Sequence, residues 1–174
     1  MKHKTHSVRY NFIMNFILTA TNFIFPLITF PYVSRILLSE GTGKIAFVTS
    51  VMNYFLMVAS LGIPTYGIRA CAKVRENKKE LSRVSQEIFL INSVTTVLCV
   101  GAYLLSVLLV PQFRAEKTLF FINAVNLVLN LFGMNWLYQA LEQYDYITLR
   151  SIVFKIVSVG LMFLLVHQEG DYVV

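Results

Sequence analysis

Charge is what this sequence is short of. Asp and Glu number only nine in 174 residues, and charged residues of both signs make up 14%, where soluble domains carry about a quarter. Between Arg9 and Arg35, Lys44 and Arg69, Glu87 and Arg114, and Lys117 and Glu142 lie stretches of 24 to 26 residues with no charge at all. Each is long enough to cross roughly 30 Å of hydrocarbon as a helix. Strict alternation of apolar and polar residues is missing as well. Phe23 to Ile28 (FIFPLI) and Leu104 to Val110 (LLSVLLV) are apolar on every face, which excludes the strands of a membrane barrel.

Other absences narrow the chemistry. The two cysteines, Cys71 and Cys99, have no metal-ligand spacing and read as free thiols. His3 and His6 flank a basic tail and His167 ends an apolar run, so none points to a metal site. There is no Gly-rich phosphate loop and no nucleophile motif, so no cofactor and no enzymatic role are expected. The first apolar run is too long for a signal peptide and ends without a small-x-small cleavage site.

What is present is apolar: 56% of residues are hydrophobic and the mean hydropathy is +0.64. The chain reads as an all-α integral membrane protein with about five spans, near residues 11–33, 45–63, 88–110, 119–138 and 151–166. Span 1 contains Pro26 and Pro31, each lacking a backbone donor, which predicts a kink or break in its second half. The link Leu38 to Lys44 holds Gly41 and Gly43, and Trp136 and Tyr138 stand where an interfacial aromatic belt would lie. A polar stretch at about 65–87 reads as a basic loop and carries six of the fifteen Lys and Arg residues: Arg69, Lys73, Arg75, Lys78, Lys79 and Arg83. With the N-terminal tail and the link at 139–150, its side has ten cations against four in the links at 34–44 and 111–118. The positive-inside rule therefore places the N-terminus and the basic loop in the cytoplasm. The net charge of +6 thus reflects orientation and contact with membrane lipids, and no nucleic-acid partner is expected.

Polar residues inside the spans fall in stripes with offsets of 3, 4 and 7, which put each set on one helix face. They are Asn11, Asn15, Asn22 and Thr29; Thr49, Asn53 and Ser60; Asn92, Thr95, Cys99, Tyr103 and Ser106; Asn123, Asn126 and Asn130; and Ser151, Lys155 and Ser158. Two readings stay open. Such stripes hydrogen-bond neighbouring helices, or they line a water-filled cavity, with Asn22, Asn53, Asn92, Asn126, Asn130, Ser151 and Ser158 as lining residues. Lys155 either faces that cavity or snorkels to the interface from about one turn inside its helix. Arg35, Arg69 and Arg150 sit near span ends as topological anchors, or as phosphate-binding forks at a cavity mouth. Glu142 and Asp145 read as solvated partners for nearby cations.

Three segments carry a family resemblance: Asn22 to Lys44, Leu61 to Asn92 and Asn135 to Lys155. Their most specific text is F-P-x-x-x-x-P-Y-x-x-R (Phe25 to Arg35), L-G-I-P-x-Y-G-I-R (Leu61 to Arg69) and Y-I-T-x-R-S (Tyr146 to Ser151). Over nearly its whole length the chain resembles the polysaccharide-type, Wzx-like oligosaccharide flippases of the multidrug/oligosaccharidyl-lipid/polysaccharide exporter superfamily. It departs from them at Leu37-Leu38-Ser39-Glu40-Gly41, where the family usually reads Leu-Gly-Pro-Glu-Gly, and at Asn135-Trp136 and Gln139-Ala140, where it often has Asp-Trp and Gln-Gly.

The resemblance implies part of the first bundle of a two-bundle flippase in the bacterial inner membrane. It implies translocation of undecaprenyl-diphosphate-linked oligosaccharide for O-antigen, capsule or exopolysaccharide assembly, with a proton or sodium ion as possible coupling partner. Arg35, Arg69, Arg150 and Lys155 are then the residues expected at the lipid-linked head group. Since the family has twelve to fourteen spans, the chain is expected to be an N-terminal fragment. The alternatives are a multidrug-type cation antiporter of the same superfamily, which would favour carboxylates that spans 1 to 4 lack, and an inactive truncated fragment.

Overall fold

The computed structural model describes residues 7–168, 170 and 171. His3 and His6, which flank the basic tail, lie outside the described residues. Those described form seven helices and no strand: α1 (Val8–Ser60), α2 (Ile63–Lys73), α3 (Lys78–Leu109), α4 (Pro111–Ala115), α5 (Lys117–Gly133), α6 (Asn135–Ala140) and α7 (Tyr144–Leu165). Four segments are long and apolar enough to cross a membrane: Val8–Lys73, Lys78–Leu109, Lys117–Ala140 and Tyr144–Leu165. Their outward side chains are apolar, with Leu27 74%, Leu164 72% and Phe12 70% exposed. In water such a surface would aggregate; in lipid it is the required solvent match. The protein is an all-α, multi-pass integral membrane protein.

At 1.5 Å per residue the 53 residues of α1 would extend roughly 80 Å, more than twice the thickness of hydrocarbon. The helix leaves helical dihedrals only at Leu38 (φ 54°, ψ −169°) and carries Pro26 and Pro31 within it. The break expected at the prolines is therefore displaced to Leu38. In hydrocarbon no water competes for the remaining backbone bonds, so two missing donors do not unwind the helix.

Two compact units make up the chain. The first comprises Met1–Thr42 and Leu141–Val174, and so contains the part of α1 before Leu38 together with α7. These two helices lie side by side in parallel, with contacts at a nearly constant sequence offset. The Thr148 hydroxyl donates to Met14 O at 3.0 Å, Lys155 Nζ donates to Thr21 Oγ1, and the Tyr32 hydroxyl donates to Val166 O at 3.0 Å, all across 134 residues. The Tyr32 ring also meets Phe163 edge-on, centroids 4.5 Å apart.

The second unit, Gly43–Ala140, holds the rest of α1 and helices α2 to α6. Here the long helices alternate in direction. Ala59 O accepts from the Thr95 hydroxyl at 2.8 Å while Phe55 packs on Tyr103, so α1 and α3 are antiparallel. Tyr103 meets Phe120 and Phe89 meets Phe132, so α3 and α5 are antiparallel too. Tyr103 is fully buried among Phe55 and Phe120, and its hydroxyl donates to Phe120 O at 3.2 Å. Phe47 and Phe113 extend this aromatic cluster, and Lys44 pairs with Glu116 at 3.2 Å beside it. Helix association in lipid rests on such packing and interhelical bonds, because lipid tails remove the hydrophobic incentive.

The basic stretch is helical where a loop was expected. Arg69 and Lys73 ride on α2, and Lys78, Lys79 and Arg83 on the first turns of α3. Only Val74 to Asn77 turns between them. Asn77 caps α3, its side chain accepting from the N–H groups of Lys79 and Glu80 at 3.2 and 3.4 Å, a cap that contributes about 1 kcal/mol.

Candidate functional site

In the first unit the polar feature with the sharpest geometry is Lys155. Because α7 begins at Tyr144, seven residues earlier than the reading from hydropathy, Lys155 lies eleven residues into the helix, roughly 16 Å along its axis. That is midway along the apolar segment Tyr144–Leu165. Its ammonium donates to Asn22 Oδ1 at 2.6 Å and Thr21 Oγ1 at 3.2 Å, and stands 5.4 Å from the Phe25 ring centroid. Both hydrogen-bond partners are neutral: they orient the ammonium and leave its charge uncancelled. Asn22 and Lys155, two of the expected site residues, thus come together.

The other expected cations are distributed differently. Arg150, half-buried on α7, lies 5.6 Å over the Tyr146 ring. Arg35 on α1 and Arg69 on α2 are exposed. Ser151 is half-buried and Ser158 exposed on α7. A cavity of about 280 Å³ in this unit is lined by Asn11, Asn15, Glu142 and Tyr144, among others; Asn11 is 8% exposed, and its Oδ1 has no hydrogen-bond partner.

In the second unit a cavity of about 240 Å³ brings together Ser60, Asn92 and Asn130 from three of the predicted stripes. Asn53 and Asn126 are exposed and do not line it. The stripe on α3 therefore divides by height. Asn92 lines the cavity, while Thr95 and Tyr103 bond to the backbones of α1 and α5, so hydrogen bonding between helices accounts for the upper part.

Three further lining residues, Asn135, Trp136 and Gln139, were not read as cavity residues. Trp136 was expected in an interfacial belt, yet it is 6% exposed, pressed against α2 at Gly67. A Cβ on Gly67 would come within 2.6 Å of Trp136 Cε3, so only glycine admits this approach.

Both ends of the cavity's frame are helix interruptions. Leu61 (φ 42°) and Gly62 (φ 72°) separate α1 from α2, and Met134 (φ 39°) separates α5 from α6. Gly62 supplies the left-handed turn and Pro64 stands at the start of α2, which explains the first half of the Leu61 to Arg69 motif. The sequence signal for the second break was the Gly133-Met134-Asn135 dip within an otherwise apolar run. Among the described residues no cluster of His, Cys, Asp or Glu is placed to hold a metal ion, and Cys71 and Cys99 are free thiols.

Apolar helices with lipid-facing leucines and phenylalanines, a mid-span cation on neutral partners and a polar cavity between broken helices define a polytopic membrane protein with a polar interior. The chain belongs to the family described as polysaccharide biosynthesis protein, whose pattern matches residues 8–174. It is 27% identical over 165 residues to a protein of Escherichia coli (strain K12) provisionally named an O-antigen transporter, covering 95% of this chain and 40% of that protein. A protein of Shigella dysenteriae with the same provisional name is 23% identical over 163 residues, covering 94% of this chain and 41% of its own length. The chain thus spans about two fifths of the length of these relatives. No solved structure gives a significant match.

Proposed function

We propose that the chain contributes the first helical bundle of a flippase that carries undecaprenyl-diphosphate-linked oligosaccharide repeat units from the inner to the outer leaflet of the bacterial inner membrane, for O-antigen or related surface polysaccharide. The family supports polysaccharide assembly, and the provisional names of the two relatives support transport. The observation that carries the chemistry is Lys155. An ionised lysine at mid-span costs on the order of 2.5 to 3.5 kcal/mol or more against lipid. Here it is retained and held by Asn22 and Thr21. An ammonium has three donors; two are satisfied by neutral oxygens, and the third is available to an anionic guest.

A diphosphate is such a guest. Crossing hydrocarbon, it needs its charge offset, and Lys155 with Arg35, Arg69 and Arg150 supplies cations for that purpose. The lipid tail stays in the bilayer while the sugar passes through the polar interior. A proton or sodium ion is the natural source of drive, with about 2.3 kcal/mol per charge per 100 mV from the membrane potential. No residue is assigned a catalytic role.

The test is charge removal in cells that depend on this protein for surface polysaccharide. Lys155→Gln should lower surface polysaccharide at least about tenfold, the effect of losing one charge-assisted contact, and Lys155→Arg should retain more of it. Normal polysaccharide in all four single neutralised variants, Arg35→Gln, Arg69→Gln, Arg150→Gln and Lys155→Gln, would overturn the reading.

A further inference from the structure

The cavity in the second unit is polar but carries no ionisable lining residue. Its polar groups are the amides of Asn92, Asn130, Asn135 and Gln139 and the hydroxyl of Ser60, and Trp136 completes the wall. This set discriminates by chemistry. A diphosphate accepts hydrogen bonds only and calls for cations; an organic cation calls for carboxylates or open aromatic faces. A planar amide offers an acceptor oxygen and a donor NH₂ side by side, which matches a pair of neighbouring hydroxyls, each able to donate and accept.

Two helix interruptions flank the same cavity. Leu61-Gly62 follows the end of α1 and Met134 the end of α5, where the chain turns into the short helices α2 and α6 that close over the cavity. The volume of about 240 Å³ equals roughly eight water volumes, room for one sugar ring.

From this we infer that the cavity is a subsite for a single neutral sugar residue, bound by amide-to-hydroxyl hydrogen bonds and separate in chemistry from the cations that meet the diphosphate. The inference rests on the flippase reading for its physiological ligand.

Trp136 is the single tryptophan of the chain, so its emission reports on this cavity alone. The whole chain in detergent micelles is titrated separately with N-acetylglucosamine, galactose, mannose and rhamnose up to about 100 mM, a range that covers millimolar affinities. Inorganic pyrophosphate at matched ionic strength is the comparison. A saturable change with at least one sugar and none with pyrophosphate is expected. Asn92→Leu and Asn130→Leu should each weaken it about five- to tenfold, the effect of losing one or two neutral hydrogen bonds. Asn130 is exposed, so its replacement tests the site even where Asn92→Leu disturbs folding.

No saturable response to any of the sugars, an equal response to pyrophosphate, or unchanged sugar affinity in the Asn130 variant would overturn the subsite. The two readings fail separately. Silent sugars with polysaccharide-deficient charge variants would remove the subsite and leave the flippase standing. Sugar binding with four fully active charge variants would do the reverse.

Discussion

Leu38 occupies a backbone conformation (φ 54°, ψ −169°) that is essentially reserved for glycine and costs of order 1 to 3 kcal/mol for other residues. It is also the position where related flippases usually have the glycine of Leu-Gly-Pro-Glu-Gly. Its side chain is 48% exposed, so little packing opposes a change. Leu38→Gly is expected to stabilise the chain by about 1 kcal/mol, read as a higher melting temperature in detergent micelles; a lower one would show that the side chain matters more than the dihedral. Asp171 illustrates a different local device. Its Oδ2 accepts from the backbone N–H of His167 at 2.9 Å and of Gln168 at 2.8 Å, and these bonds to the charged form hold its carboxyl below the usual carboxylate range. With the folded-state value depressed, the turn's added stability is present above the ordinary carboxylate pKa and is lost as pH falls through the depressed one. An NMR titration should therefore move the His167 and Gln168 amide protons together, with a midpoint below that of a free aspartate.

At the scale of elements, the contact between α2 and α6 holds the second unit's cavity in shape. Each of these short helices follows an interruption, and each is too short to be stable alone. They support one another through the Trp136 ring lying on Gly67. Gly67→Ala forces a Cβ to 2.6 Å from that ring, and overpacking of this kind costs typically 1 to 3 kcal/mol. The expected outcome is a lower melting temperature and a red-shifted Trp136 emission as the ring gains solvent. Unchanged emission would mean that the Trp136 ring keeps its burial and that the close approach at Gly67 is not what holds the two helices together.

At the scale of the molecule, the observed helix directions bear on threading. The two helices of the first unit are parallel, as they must be if an odd number of crossings separates them, and the three long helices of the second unit alternate. We propose five crossings, with the turn before α3 on one side and α4 on the other. We propose that the side richer in cations, with the N-terminal tail and the α2–α3 region, faces the cytoplasm. In a variant with Cys71 and Cys99 replaced by Ala, a membrane-impermeant thiol reagent added to intact spheroplasts should label Gln112→Cys and spare Glu76→Cys until the membrane is opened. Labelling in the opposite order would invert the assignment and place the basic turn outside.

Hydropathy and charge alone determined the membrane class, the helical fold and the side bias of the cations, because hydrocarbon thickness and backbone satisfaction are constraints that act along one helix at a time. The motif text was enough for the family. The stripes located polar faces: Asn22 accepts a hydrogen bond from Lys155, and Asn92 and Asn130 line a cavity, while Asn53, Asn126 and Ser158 are exposed and do not line it. What only the tertiary structure decided is who meets whom. Thr95 and Tyr103 pack against backbone while Asn92, on the same helix, lines a cavity; Trp136 faces Gly67 instead of the interface. The helices break at Leu38, Leu61-Gly62 and Met134, while the prolines stay inside α1. Lys155 stands at mid-span because α7 starts at Tyr144. A residue's partner across helices comes from distant sequence and is selected by shape, so periodicity locates a polar face but leaves open whether protein or water covers it.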